Sequence, residues 1–215
     1  MTGAWKKVVS MGSRFMHLLV ADHVAKEMEI ADRSRTLLGS LAPDARKSGW
    51  THFKATPHPL FLNNPMDYGR FILKYRDRFN DPYFVGYLSH LIMDDVWTMK
   101  AEFSGFEQRV QADAAAYAQY HDDLRMCNAK LDAHYRPAAL CDALAAACDA
   151  PDIDEVSARE VLLYRQEALA DFRYPAEHLT APLHLFALEE MLQYVERSKS
   201  KAVDICRVAR SLSER

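Results

Sequence analysis

Residues 86–97, GYLSHLIMDDVW, set one histidine and two aspartates inside a run that otherwise reads as buried helix. Asp81 and Pro82 just before it make an N-cap and a first helical position. On such a helix Gly86, His90, Asp94 and Trp97 share one face, and Gly86 leaves room there for something to approach. Asp94 stands roughly 40° from His90 about the axis and Asp95 roughly 140° away. A carboxylate among apolar side chains is strongly unfavourable without a partner. This segment therefore demands one, either another side chain or a cation. Only Asp94 can share a ligand with His90; Asp95 is expected to support a neighbouring ligand or to cap a contact.

The rest of the chain is patterned for helices. Glycine is only 7 of 215 residues, while Ala, Leu, Arg and Glu are plentiful. We expect one all-α domain over residues 1–215, of about seven helices, with 1–12 as a segment that need not be ordered. The first helix should run from about Ser13 to Glu29, with His17, Ala21, Val24 and Met28 on its buried face and His23 toward solvent. A second, RSRTLLGSLA, should stop before Pro43, because proline disfavours helical geometry in Ala42. The loop PDARKSGWTHFKATPHPLFLNNP follows, and a loop that long in a compact domain is usually functional. Helices are expected over about 67–79, 107–135, 137–148, 157–171 and 187–212, the fourth of these opened by a Ser157–Glu160 capping box. LHLF at 183–186 could pair briefly as a strand.

Several functional classes are disfavoured at once. A net charge of −3 offers no basic face for general nucleic-acid or anionic-membrane binding. The four cysteines show no CxxC pair, which argues against a disulfide framework or a thiolate zinc cluster. No run of about 18 apolar residues is present to span a bilayer, and MTGAWKKVVSMGSRFMHLLVADH makes a poor signal peptide. A cytoplasmic protein is the expectation. The oligomeric state is not legible.

Periodicity and the ordered loop bring six polar residues to the inside: His17, Asp44, His52, His90, Asp94 and His121. Histidine and aspartate without cysteine form a nitrogen–oxygen donor set suited to zinc or another divalent transition metal. His121 and Asn128 interrupt the apolar stripe Val110, Ala114, Tyr117, Leu124, Leu131, Tyr135 two turns apart, and Asn128, like Asp95, is expected to support a neighbouring ligand. His134, His178 and His184 read as surface or satisfied structural groups, His58 as a loop residue, and Asp122 and Asp123 as a solvated helix face. Arg46, Lys47 and Lys54 flank the proposed ligands and fit either a phosphate contact or solvated loop charges.

The ordered series FMHLLVADHVAKEM, GSLAPD, THF and GYLSHLIMDD resembles the zinc-dependent phospholipase C family, distant relatives of the single-strand-specific zinc nucleases, and most closely a compact bacterial branch of it. The resemblance covers Phe15 to Trp97 well and the remainder loosely. It implies that Asp44, His52, His90 and Asp94 hold one zinc, and that Asp94 bridges to a second zinc also held by His17. It further implies a catalytic part for Asp44, orienting or deprotonating the attacking water, with a small-molecule or lipid phosphoester as substrate.

The chain departs from that pattern in three places. Trp5 is preceded by four residues, whereas the secreted phospholipases use an N-terminal tryptophan as a ligand. Lys100 stands where the family has a histidine six residues after the bridging aspartate. No later HxxxE pair exists, since Arg125 follows His121 at i+4. A third zinc is not expected; one or two ions are, and His121 is a geometric candidate to complete the second site. Two rival readings remain open. In an HD-type phosphohydrolase the His121–Asp122 doublet would bind the metal. In a non-catalytic metal-binding structural protein the same ligands would close around the ion with no open position.

Overall fold

The computed structural model describes residues 13–46, 50–55, 65–99 and 113–214. Their architecture is all-helical: α1 (Arg14–Glu27), α2 (Arg33–Ala45), α3 (Tyr68–Lys74), α4 (Pro82–Met99), α5 (Ala114–Tyr135), α6 (Leu140–Ala146), α7 (Ala158–Ala170) and α8 (Leu188–Ser213). Among the described residues the only β pairing is an isolated antiparallel bridge between Lys54 and Met66. No described helix is long and apolar enough to cross a membrane. Residues 1–12, Lys47, His58 and 107–112, on which several expectations fall, lie outside the described residues.

α1 runs through the middle of the domain, against α2, α4 and α8. Ser13 caps it by accepting the Met16 N–H. Every side chain from Phe15 to Asp22 is buried, so the helix has no solvated face over that stretch, and His23 is half-buried instead of facing water. The one-sided pattern expected for α1 is too narrow because neighbours surround it. Asp22 is held on this buried helix by Lys26 and Arg33.

α2 continues through Pro43 to Ala45 instead of ending before the proline. The local cost at Ala42 is overridden by packing, since Leu41 and Ala42 are in the core. The consequence matters for function. Asp44 sits on the last turn of a helix, not on a loop.

At the start of α4, Asp81 accepts the Tyr83 N–H at 3.0 Å and is gripped by Arg35 of α2 through two nitrogens. α2 and α4 then cross at two glycines. A Cβ on Gly39 would stand 1.9 Å from the Tyr83 carbonyl oxygen, and one on Gly86 would stand 1.9 Å from the Thr36 carbonyl oxygen. The room left by Gly86 is thus filled by the backbone of α2. Eight residues after Gly86 and five after Gly39, the same two helices present Asp94 and Asp44 on one side of the crossing.

The remaining helices close the domain. α7 carries the expected capping box, with Ser157 and Glu160 bonding each other's backbone N–H. α5 begins at Ala114 behind the Asp113 cap. Residues 183–186 form no strand. They are tied down by Asp123, which is buried and accepts the N–H groups of His184 and Leu185 at 2.8 and 2.6 Å. Asp123 is therefore a structural anchor and not part of a solvated face.

Gly86→Ala is expected to force the crossing apart, because the obstruction is backbone and cannot rotate away. The change should cost about 1–3 kcal/mol or more, read as a lowered denaturation midpoint. Ser89→Ala, at a buried neighbour whose hydroxyl only returns to the Gly86 carbonyl, should cost clearly less.

Candidate metal centre

Three helices and one turn converge on a single point. α1 supplies His17, the end of α2 supplies Asp44, the turn at 50–53 supplies His52, and α4 supplies His90 and Asp94. His17 Nε2 lies 3.5 Å from Asp94 Oδ1, while His52 Nε2 and His90 Nε2 each lie 3.5 Å from Asp94 Oδ2. His52 Nε2 is 3.2 Å from Asp44 Oδ1. Contacts of 3.5 Å are too long for an N–H···O bond. They match the ~3.3 Å separation of two ligands bound tetrahedrally to one ion at 2.0–2.1 Å.

Two triads of donor atoms, His17–His90–Asp94 and Asp44–His52–His90, each fall within 4.8 Å of one another and could hold a metal ion. His90 belongs to both, and Asp94 turns one oxygen toward His17 and the other toward His52 and His90. The imidazoles of His17 and His90 stack with centroids 3.6 Å apart and planes 7° from parallel.

The outer contacts fix how the rings point. His90 Nδ1 lies 2.7 Å from the Ser40 carbonyl oxygen. A carbonyl can only accept, so Nδ1 carries the proton and the Nε2 lone pair faces Asp94. That is the arrangement in which metal-binding histidines are commonly held. His90 Nε2 and both carboxylate oxygens of Asp94 are buried and have no hydrogen-bond partner among the described residues. A buried acceptor pair without a donor is costly, and a cation at the ligand-spaced point would satisfy all three atoms. The residues present fit a divalent metal.

Burial alone would lower the His90 pKa, but Asp94, Asp44 and the Ser40 carbonyl together hold it above the ordinary imidazole value. Burial would raise the Asp44 carboxyl, yet the His52 contact and the nearby His90 and His17 rings keep it well below the usual carboxylate range. Two carboxylates among three imidazoles attract positive charge, and a proton on His90 is the weakest cation available to them.

His121 joins neither triad. Its ring packs edge-on to Tyr117 and Tyr120, at 4.5 and 5.3 Å between centroids. Asp122 is exposed and paired with Arg125 at 2.7 Å. Among the described residues no group of metal-spaced donors includes His121 or Asp122, and consecutive residues on α5 point in divergent directions. Asn128 does not touch a ligand either. It accepts the Ser13 hydroxyl at 2.6 Å and braces the start of the helix that carries His17. Asp95 accepts the Met66 N–H at 3.2 Å and pairs with Lys201 at 2.7 Å, so of its two expected roles it caps a contact. Arg46 is engaged by the Glu155 carbonyl and by Glu160, which leaves it poorly placed as a phosphate contact.

Sequence reasoning missed Ser40, Thr51 and Tyr87 as partners of the site. Ser40 acts through its carbonyl, which carries no signature of residue type. Thr51 was legible only as the neighbour of His52.

Comparison with family models, with curated proteins and with solved structures finds no match to this chain.

Two outcomes follow for the aspartates. Asp94→Asn should weaken zinc binding by more than the roughly 10–100-fold that outer partners are worth, while the chelated variant at pH 8 stays at least as stable as the chelated parent. Asp95→Asn should cost about 1–3 kcal/mol of stability and at most about 10-fold in metal affinity. Competition titration and denaturant melts of both variants check this.

A pH dependence follows from His90. A raised folded-state pKa gives stability that is fully present below the unfolded value of 6.5 and is lost as pH rises through the folded value. Chelated protein should therefore melt lower at pH 8 than at pH 6, and added zinc should shrink that difference.

Proposed function

We propose that the chain is a metal-dependent hydrolase, phospholipase C-like, that uses zinc to cleave a phosphoester. The observation that carries the reading is the ligand-spaced His17–Asp44–His52–His90–Asp94 cluster, most deeply buried at His17, His90 and Asp94. His17, His90 and Asp94 are each 1% exposed, whereas the Asp44 and His52 side chains are 9% and 12% exposed. On this reading a substrate would approach past Asp44 and His52. Three imidazoles, two carboxylates and no thiolate suit zinc, with other divalent transition metals as the near alternatives.

His52, His90, Asp44 and Asp94 would hold one ion, and His17 with the far oxygen of Asp94 would hold a second where two bind. Bound zinc supplies a water of near-neutral pKa and charge to offset the anionic phosphoryl group. Asp44, ionised across the working pH range, would accept a hydrogen bond from an attacking water and orient it. Its depressed pKa makes it a weak base, so orientation is its main part. The Ser40 carbonyl keeps His90 in the tautomer that leaves Nε2 free. The apolar wall of α1 and α4 excludes bulk water from the inner side.

Protein stripped with chelator and reloaded with Zn²⁺ should cleave p-nitrophenyl phosphate or its bis-ester, with a rate that rises as pH passes about 7. His17→Ala should lower this activity strongly and His121→Ala only slightly. Loss with His121→Ala and none with His17→Ala would favour an HD-type site. Metal bound in stoichiometric amount with a broad phosphoester panel at background would favour a structural metal.

A further inference from the structure

The turn that carries His52 is held in a conformation it would not adopt alone. Phe53, next to His52, has φ +49°, in the left-handed region that non-glycine residues avoid. Its carbonyl accepts the Asp67 N–H at 2.8 Å, which fixes the turn on its C-terminal side. On the N-terminal side the Tyr87 hydroxyl donates to the Thr51 carbonyl at 2.6 Å. Thr51 Oγ1 in turn lies 2.9 Å from His52 Nδ1. Tyr87 and Thr51 are both fully buried, and the Tyr87 ring stacks on Phe71 with centroids 4.5 Å apart.

Tyr87 stands three residues before His90 and seven before Asp94, on the same face of α4. One rigid helix thus presents two of the cluster's residues and also grips the turn that presents a third. We propose that Tyr87, acting through Thr51, is a positioning residue that sets the aim of His52 at the metal point. The inference rests on the reading of His52 as a ligand. For Nε2 to bind an ion, Nδ1 must hold the ring proton and donate it to Thr51 Oγ1. The Tyr87 bond keeps Thr51 in place for that contact. The arrangement parallels the Ser40 carbonyl at His90, but it reaches His52 through one further residue.

The test is Co²⁺ and Zn²⁺ titration of wild type, Tyr87→Phe, Thr51→Val, Thr51→Ser and His52→Ala, each first stripped with chelator, with melting of the stripped proteins as the fold control. Tyr87→Phe keeps the ring and its stacking on Phe71. It and Thr51→Val should each weaken binding by about 10–100-fold, and should shift the Co²⁺ absorption bands toward those of His52→Ala. Thr51→Ser, which keeps the hydroxyl, should bind like wild type. If Tyr87→Phe and Thr51→Val bind like wild type while His52→Ala is weakened, the positioning role is overturned and the metal site stands. If His52→Ala itself binds like wild type, the reading of His52 as a ligand fails, and this inference with it. Should Tyr87→Phe not fold, Thr51→Val alone decides between the first two outcomes.

Discussion

The close crossing of α2 and α4 is the constraint on which the rest depends. Gly39 and Gly86 each admit a carbonyl of the other helix where a Cβ would stand 1.9 Å away. Helices that touch through backbone sit closer than side-chain packing allows. That closeness lets the carbonyl of Ser40, the residue after Gly39, reach His90 Nδ1 four residues beyond Gly86. It also carries the final turn of α2, with Asp44, to the side where α4 presents Asp94. Without the crossing, Asp44 and His90 would belong to different parts of the molecule.

The chemistry at that crossing is unfavourable unless something positive sits there. Asp94 is 1% exposed with both oxygens unbonded among the described residues, and two of its histidine neighbours are as deeply buried. Ions removed from water lose several kcal/mol each, and mutual attraction recovers this only in good geometry. A divalent cation changes the sign of that balance, because its binding free energy adds to folding free energy when the site forms only in the folded chain. Stability and metal loading should consequently be linked here. The buried apolar residues of α1, α4 and α8 make that link stronger by keeping water out.

Much of this arrangement was legible in the sequence, and the rest was hidden for identifiable reasons. Helical phase alone separated Asp94 from Asp95 on α4, since a 100° step per residue puts one inward and turns the other toward Met66 and Lys201. The all-helical class followed from composition and spacing. Pro43 misled because a local preference was weighed without the burial of Ala42 that overrides it. His121 is absent from both donor triads among the described residues, and an inward-facing histidine on α5 need not face the same interior point as those on α1 and α4. Periodicity assigns a side of a helix, not a neighbour. Asp123 failed for the complementary reason: its partners are backbone groups of 184–185, which no residue pattern announces.

The most direct measurement is the position of bound zinc in a crystal structure of the metal-loaded protein, located by anomalous scattering at the zinc edge. The expected result is a peak between α1, α2 and α4, about 2.0–2.2 Å from His90 Nε2, from an Asp94 oxygen and from His52 Nε2. A second peak, if present, should lie between His17 and the other oxygen of Asp94. Zinc found beside His121 and Asp122 instead, or no peak at the crossing from protein soaked in excess zinc, would contradict the account.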